Sequence, residues 1–315
     1  MERDRGGTVL KPPRRDESGR VLALLQACDV AEYGVPDTQA EDLEWMWSLP
    51  RFDLELDARV IEAPPGILAG YAAVDVRADG TSFDADVSLH PEHGADVGPA
   101  LLAFLERRTA ERVPSGKFGE LAIPAAAVNR AKRELLEAHA YRPKRTFFRM
   151  EIDLAPDGLT TPSVPDGIEV RRFRHGLDDG VLYEAMEEAF SRHYRHVRLS
   201  AEEWAIRRFS HPNFDPDLWF VAWDGERVAA AILNYPAADA GWVTELGVRP
   251  PWRGRGLGMA LLLTSFAAFA ERGQRRVALG VDAENVDGAT RLYERAGMHV
   301  TKRFEIYLKS IPAAA

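Results

Sequence analysis

A single cysteine, Cys28, leaves this 315-residue chain without any intrachain disulfide or cysteine-rich metal site. Catalysis by a thiol would rest on that one side chain. No apolar run approaches the roughly 20 residues that a membrane helix needs, and the opening Met1-Glu2-Arg3-Asp4-Arg5 lacks the apolar core of a secretory signal. A cytoplasmic protein with no membrane partner is expected. Positive charge is in deficit too, with 40 Lys and Arg against 49 Asp and Glu. The imbalance falls in residues 1–160, which carry 20 basic and 28 acidic side chains, so the chain has no basic footprint and no nucleic-acid partner is expected. The cations of the second half gather at Arg249, Arg253 and Arg255, which suits a small polyanion.

What the chain has in plenty is apolar surface, 46% of its residues, and internal repetition. Sliding the sequence on itself by about 160 positions sets Gly7-Thr8-Val9-Leu10 against Gly167-Ile168-Glu169-Val170 and Val21-Leu22 against Val181-Leu182. Ile67-Leu68-Ala69-Gly70-Tyr71 meets Val228-Ala229-Ala230-Ala231-Ile232 at a shift drifting by one residue. Pro91, Gly94, Gly98, Ala100, Leu101 and Leu102 recur as Pro251, Gly254, Gly258, Ala260, Leu261 and Leu262, and Leu135 and Glu137 as Leu292 and Glu294. Matches in one order imply a duplicated plan. Residues 154–166, rich in proline and glycine and without a period, read as a linker between copies at 6–153 and 167–312.

The second copy predicts strands at Ile168–Phe173, Leu218–Trp223, Val228–Tyr235, Trp242–Val248, Arg276–Asp282 and His299–Lys309, the second and third joined in a hairpin through Asp224-Gly225-Glu226-Arg227. Helices are predicted at Asp179–Phe190, Gly258–Gly273 and Gly288–Ala296. Strands and helices in this order give an α/β (α+β) domain, a mixed sheet flanked by helices.

Leu246-Gly247-Val248-Arg249-Pro250-Pro251-Trp252-Arg253-Gly254-Arg255-Gly256-Leu257-Gly258-Met259 carries the chemistry. Prolines end the strand, and Gly254, Gly256 and Gly258 let main-chain N–H groups turn toward one point. The helix that follows adds unpaired amides and its positive dipole end. With Arg253 and Arg255 alongside, the expected ligand is a phosphate or diphosphate. A Walker loop would end in Gly-Lys-Ser/Thr, and a dinucleotide fingerprint would follow the first strand of its domain; neither fits.

Arg253-Gly254-Arg255-Gly256-Leu257-Gly258 resembles the Arg/Gln-x-x-Gly-x-Gly/Ala signature of the GNAT superfamily of acyl-CoA N-acyltransferases, and the block from Asp282 through Asn285 and Tyr293 to Gly297-Met298 is similar to its second motif. That block departs by one extra residue between Asn285 and Tyr293 and by Met298 in place of an aromatic. The resemblance implies two tandem GNAT folds, each a mixed, mostly antiparallel sheet with a splayed strand pair, in a layout like that of mycothiol synthase. It implies acetyl-CoA as co-substrate and no metal. The main chain at Leu246, Gly247 and Val248 would meet pantetheine, the amides from Arg253 through Gly254, Arg255, Gly256, Leu257 and Gly258 to Met259 would hold diphosphate, and Asn285 would help fix the cofactor.

The implied reaction is attack by an amine on the thioester, which needs a base for the ammonium and an acid for the leaving sulfur. Tyr293 is the expected acid. Glu245 is the expected base, provided a bulge turns it toward the side of Trp242 and Thr244; otherwise strict alternation makes it structural. Asp282 is a second candidate, with turn capping as the alternative reading. His193 and His196 are expected either to line an acceptor pocket or to form a solvated basic turn. The acceptor is expected to be a small-molecule amine, less readily a protein, and an oligomer is compatible with the sequence. The competing expectation is a non-catalytic acyl-CoA-binding regulatory module.

In the first copy, His93, Ala95 and Asp96 stand where Arg253, Arg255 and Gly256 stand in the second, and Leu136 replaces Tyr293. An aspartate there would repel diphosphate, so a degenerate domain is expected. Cys28, Trp45, Trp47 and the carboxylates Asp53, Glu55 and Asp57 are read as packing or solvated residues.

Overall fold

The computed structural model describes residues 2–3, 9–63, 66–154, 163–238, 240–285 and 287–314. Gly7 and Thr8 of the repeat, and residues 155–162 of the expected linker, lie outside them. Two compact units emerge: unit 1, Met1–Arg145 with Phe304–Ala315, and unit 2, Thr146–Arg303. The elements in order are β1 (Glu2–Arg3), β2 (Val9–Lys11), α1 (Ser18–Tyr33), α2 (Ala40–Met46), α3 (Leu54–Asp57), β3 (Ala58–Glu62), β4 (Leu68–Val76), β5 (Ser82–Leu89), α4 (Gly98–Arg112), β6 (Phe118–Ala126), α5 (Arg130–Ala138) and β7 (Arg142–Asp153). There follow β8 (Ile168–Arg172), α6 (Asp179–Phe190), α7 (Ala201–Phe209), β9 (Phe220–Asp224), β10 (Arg227–Pro236), β11 (Gly241–Val248), α8 (Leu257–Glu271), β12 (Arg276–Asp282), α9 (Ala289–Arg295) and β13 (His299–Pro312).

Unit 1 orders its strands β1-β2-β3-β4-β5-β6-β13 and unit 2 orders them β7-β12-β11-β10-β9-β8. Neighbours are antiparallel except for one parallel pair in each unit, β5 with β6 and β11 with β12. The division differs from the expected boundaries at 153 and 167. Residues 304–312 of β13 pair with β6, from Phe304 opposite Ala126 to Pro312 opposite Phe118. Residues 147–153 of β7 pair with β12, from Phe147 opposite Asp282 to Asp153 opposite Arg276. Each sheet is therefore completed by a strand drawn from the other half of the sequence.

In unit 2, α8 packs Leu261, Phe266 and Phe269 against Ile232, Val243 and Leu279 on one face of the sheet. On the other face Leu182 and Met186 of α6 and Trp204 of α7 pack against Val221, Ala231 and Leu233. The helix α6 forms over the expected span, Asp179–Phe190; α7 was not anticipated. It starts where the Ser200 hydroxyl accepts from the Glu203 amide at 3.1 Å, a Ser-x-x-Glu signature of a helix start that the sequence does carry.

Candidate active site

The strands β11 and β12 pair only at Gly241 with Val277, Trp242 with Ala278 and Val243 with Leu279. Past that point β11 continues beside β10 and β12 beside β7, so two facing main-chain edges are left apart. A cleft of about 610 Å3 opens between them. The splayed pair expected from the sequence is this one.

Local register decides which side chains reach the cleft. On β10, Leu233 lies opposite Glu245 while Asn234 lies opposite Val243, so Thr244 is an extra residue and β11 is bulged there. Directly opposed antiparallel residues share a face. Asn234 bonds to Ser265 of α8 at 2.8 Å, and Leu233 packs in the cluster of α6 and α7. Val243 thus faces α8, whereas Glu245 faces the same side as Trp242, which lies opposite Tyr235. The bulge on which the expectation for Glu245 turned is present, and Glu245 lines the cleft together with Thr244 and Tyr293. Its carboxylate is paired with Arg208 of α7.

Tyr293, on α9, is 7% exposed, and burial pushes its phenol up to about 12. Burial also lowers His193, at the end of α6, below the usual histidine value despite the neighbouring carboxylates Asp287 and Asp282. His193 lines the cleft with its ring 4.3 Å from that of Phe190. His196 instead meets the buried Glu187 at 3.1 Å.

Gly254 and Gly256 adopt φ of +74° and +88°, a region costly for side-chain-bearing residues. A Cβ at either would enter open space. Among the described residues, no protein acceptor takes the amides from Gly254 to Met259; Ala260 is the first to bond back, to the Gly256 carbonyl at 3.0 Å. Gly258 serves packing instead. A Cβ there would come within 3.0 Å of Leu292, so glycine lets α8 approach α9.

The three arginines divide unexpectedly. Arg253 donates to the Val248 carbonyl (3.0 Å), the Ala189 carbonyl (2.9 Å) and Asp287 (3.0 Å). Arg249 donates to Glu188 (2.7 Å) and the Val228 carbonyl (2.8 Å). Both guanidinium groups are committed to the protein, and Arg253 stitches β11, α6 and the loop before α9 together at the rim of the cleft. Arg255 is exposed and does not line the cleft. The other residues expected at the cofactor, Leu246, Gly247, Val248, Arg253, Gly254, Gly256, Leu257, Gly258, Met259 and Asn285, all do. The Asn285 side-chain oxygen is already taken by the Asp287 amide at 2.9 Å, and Asp282 accepts from the Glu284 amide at 2.9 Å, the turn-capping role.

Residues 182–298 match the Acetyltransferase (GNAT) family. A mycothiol acetyltransferase of Geodermatophilus obscurus is 32% identical over 90% of this chain and 92% of its own length. The chain belongs to the GNAT acetyltransferase family. It is an acyl-CoA-dependent N-acetyltransferase. A GCN5-related N-acetyltransferase from Sphaerobacter thermophilus superposes with a TM-score of 0.82 at 33% identity, over 97% of this chain and 96% of that one. A tandem GNAT protein from the clavulanic acid biosynthesis pathway shares the fold with a TM-score of 0.76 at 15% identity, over 98% of this chain and 99% of that one. The tandem layout inferred from the repeat is thus shared by a solved structure along its whole length.

Unit 1 of this acetyltransferase is built differently at the matching positions. Its strands β5 and β6 also pair at only three residue pairs. Beyond them Lys132 of α5 reaches Asp86 of β5 at 3.2 Å, and the Cys28 thiol, pushed up to about 12 by burial, donates to the Leu89 carbonyl at 3.2 Å. The loop turns its amides inward, with Gly94 bonded to the His90 carbonyl (2.8 Å) and Val97 to the Gly94 carbonyl (3.3 Å). Pro99 removes a further donor from the start of α4. Asp57, read as solvated, is in fact buried between Arg108 (2.7 Å) and Arg112 (3.0 Å).

Phe147 and Gly280 of the cleft wall were not anticipated. Gly280 carries no local signal, and Phe147 arrives on a strand assigned to the other copy.

Proposed function

We propose that unit 2 moves an acetyl group from acetyl-CoA to the amine of a small molecule. The residues present suit that co-substrate. The open amides from Gly254 to Met259 would hold its diphosphate, with the dipole of α8 in support. The unpaired edge of β11 at Leu246 and Val248 would meet the amides of its pantetheine arm, and bound there it supplies a thioester carbonyl open to attack.

The protein's part is to move two protons. Glu245 takes one from the acceptor's ammonium, directly or through a water. The neutral nitrogen then attacks the carbonyl carbon, the C–N bond forms and the C–S bond breaks, its electron pair leaving on sulfur, and the surplus proton on nitrogen must leave as the amide forms. Tyr293 is the group we assign to that sulfur. A phenol at about 12 is a weaker acid than a thiol near 8.5, so Tyr293 stabilises the leaving sulfur as a hydrogen-bond donor and gives up its proton only late, recovering one from the new amide nitrogen. The observation that supports this reading is that Glu245, Tyr293 and the open amides line one cleft. The name carried by the relatives directs the first acceptor trials to small amines of the mycothiol type.

Unit 1 we read as a domain that has lost the cofactor. The Gly94 and Val97 amides of its loop are bonded internally, an ion pair joins α5 to β5 past the paired residues, and Leu136 replaces the phenol.

The test is CoA-thiol release with a panel of small amines. Tyr293→Phe and Glu245→Gln should each lower kcat on the order of 10²-fold, with acetyl-CoA binding retained. Undiminished turnover in both would refute the assignment, and binding without turnover for any amine would favour the regulatory module.

A further inference from the structure

Glu245 does not stand alone in the wall of the cleft, and what holds it comes from the helix that the sequence did not reveal. Arg208 lies in the last turn of α7, with its guanidinium group 4.6 Å from the ring of Trp204 one turn earlier. The Tyr235 hydroxyl, on β10, donates to the Arg208 carbonyl at 2.9 Å, and the His211 ring stacks on Tyr235 at 4.4 Å and 7°. The arginine is thus fixed at its backbone by one strand and beneath its head group by an indole. From that anchorage it pairs with the Glu245 carboxylate that the bulge at Thr244 has turned toward it. Both side chains are largely buried, at 18% and 21% exposure.

We propose that Arg208 is a positioning residue for the acetyl transfer, acting through Glu245: it fixes the carboxylate in one orientation in the wall of the cleft, ready to receive the acceptor's proton. This rests on Glu245 being the base. The ionisable groups around that carboxylate are Arg208 from α7 and Tyr235 from β10, with His211 behind the Tyr235 ring. From β12, Asp282 lines the same cleft and is engaged by the Glu284 amide. Among these described residues Arg208 is the cation that touches Glu245, so its removal frees the carboxylate to leave the one orientation that the pair holds and leaves the open amides at the head of α8 untouched.

The experiment compares Arg208→Met, Arg208→Lys, Glu245→Gln and the double variant Arg208→Met with Glu245→Gln, with kcat, the KM for acetyl-CoA and CoA binding measured on the same samples. Arg208→Met should lower kcat by about tenfold or more and leave the KM for acetyl-CoA and the CoA affinity within about twofold. Arg208→Lys should restore most of kcat. The double variant should be no slower than Glu245→Gln alone, because both act through one carboxylate. An unchanged kcat in Arg208→Met, no rescue by Arg208→Lys, or costs that add in the double variant, overturns the proposal even if Glu245→Gln lowers kcat. Glu245→Gln retaining full activity overturns the base assignment itself, and the proposal with it.

Discussion

At Gly256 two demands meet in one residue. Its φ of +88° favours glycine, and its place at the head of α8 would favour a side chain able to cap that helix. An aspartate there would bring a carboxylate to the amides that we assign to diphosphate, and the first copy carries Asp96 at the corresponding position. Strain of roughly 1 kcal/mol would be offset by a cap of similar size. Gly256→Asp should therefore leave the melting temperature nearly unchanged while weakening CoA binding at least about 100-fold, since an internal anion occupies the site. Calorimetric titration together with thermal melting separates the two effects, and unchanged affinity would remove the diphosphate assignment.

The arginines on either side make a second pair of predictions at this scale. Arg253→Ala strands two carbonyls and a carboxylate and should cost about 2–3 kcal/mol of stability, because the group is only partly exposed. Arg255→Ala removes no hydrogen bond or ion pair among the described residues and should leave stability unchanged, raising the KM for acetyl-CoA by no more than several-fold. Guanidine melts and initial rates suffice to check both. From sequence alone the two arginines look equivalent. Spacing announces a cationic loop but does not say which cation turns back onto the protein.

Among the elements, β11 holds most of the functional information. The prolines and glycines after it gave away its end, but alternation of side chains left the face of Glu245 open, because the bulge at Thr244 has no signature in the residue types. A bulge is set by what pairs across the strand, and that is tertiary. Helix α7 is the opposite case, since its capping signal was readable and its role was not. The glycine at 247 links strand to helix. A Cβ there would meet Met186 at 3.0 Å and Ala189 and Phe190 at 3.1 Å, so Gly247→Val should push α6 off the sheet at a cost of about 2 kcal/mol. The Ala189 carbonyl is one of the anchors of Arg253, so the same variant should also raise the KM for acetyl-CoA. A stability loss with an unchanged KM would mean that α6 does not help shape the cleft.

For the molecule as a whole, the repeat and the mixed sheet were legible because each is written in local pattern. The exchange of end strands was not. β7 and β13 have the alternation of any strand completing a sheet, and nothing in an isolated strand names the edge it will pair with. Deleting Phe304–Ala315 should therefore damage unit 1 first. Hydrogen exchange should show faster opening of β6 than of β11, and equal protection of β6 in the truncated and full chains would contradict the observed register.

That exchange also orders events during synthesis. At the usual pace of translation, the last partner of β6 leaves the ribosome on the order of ten seconds after residue 145. Until then a nascent first unit carries a bare sheet edge, the kind of surface that chaperones shield and that strays into aggregation. Slowing the ribosome late in the message should lower the yield of native enzyme more than slowing it early, a cost incurred by a protein whose beginning is finished by its end.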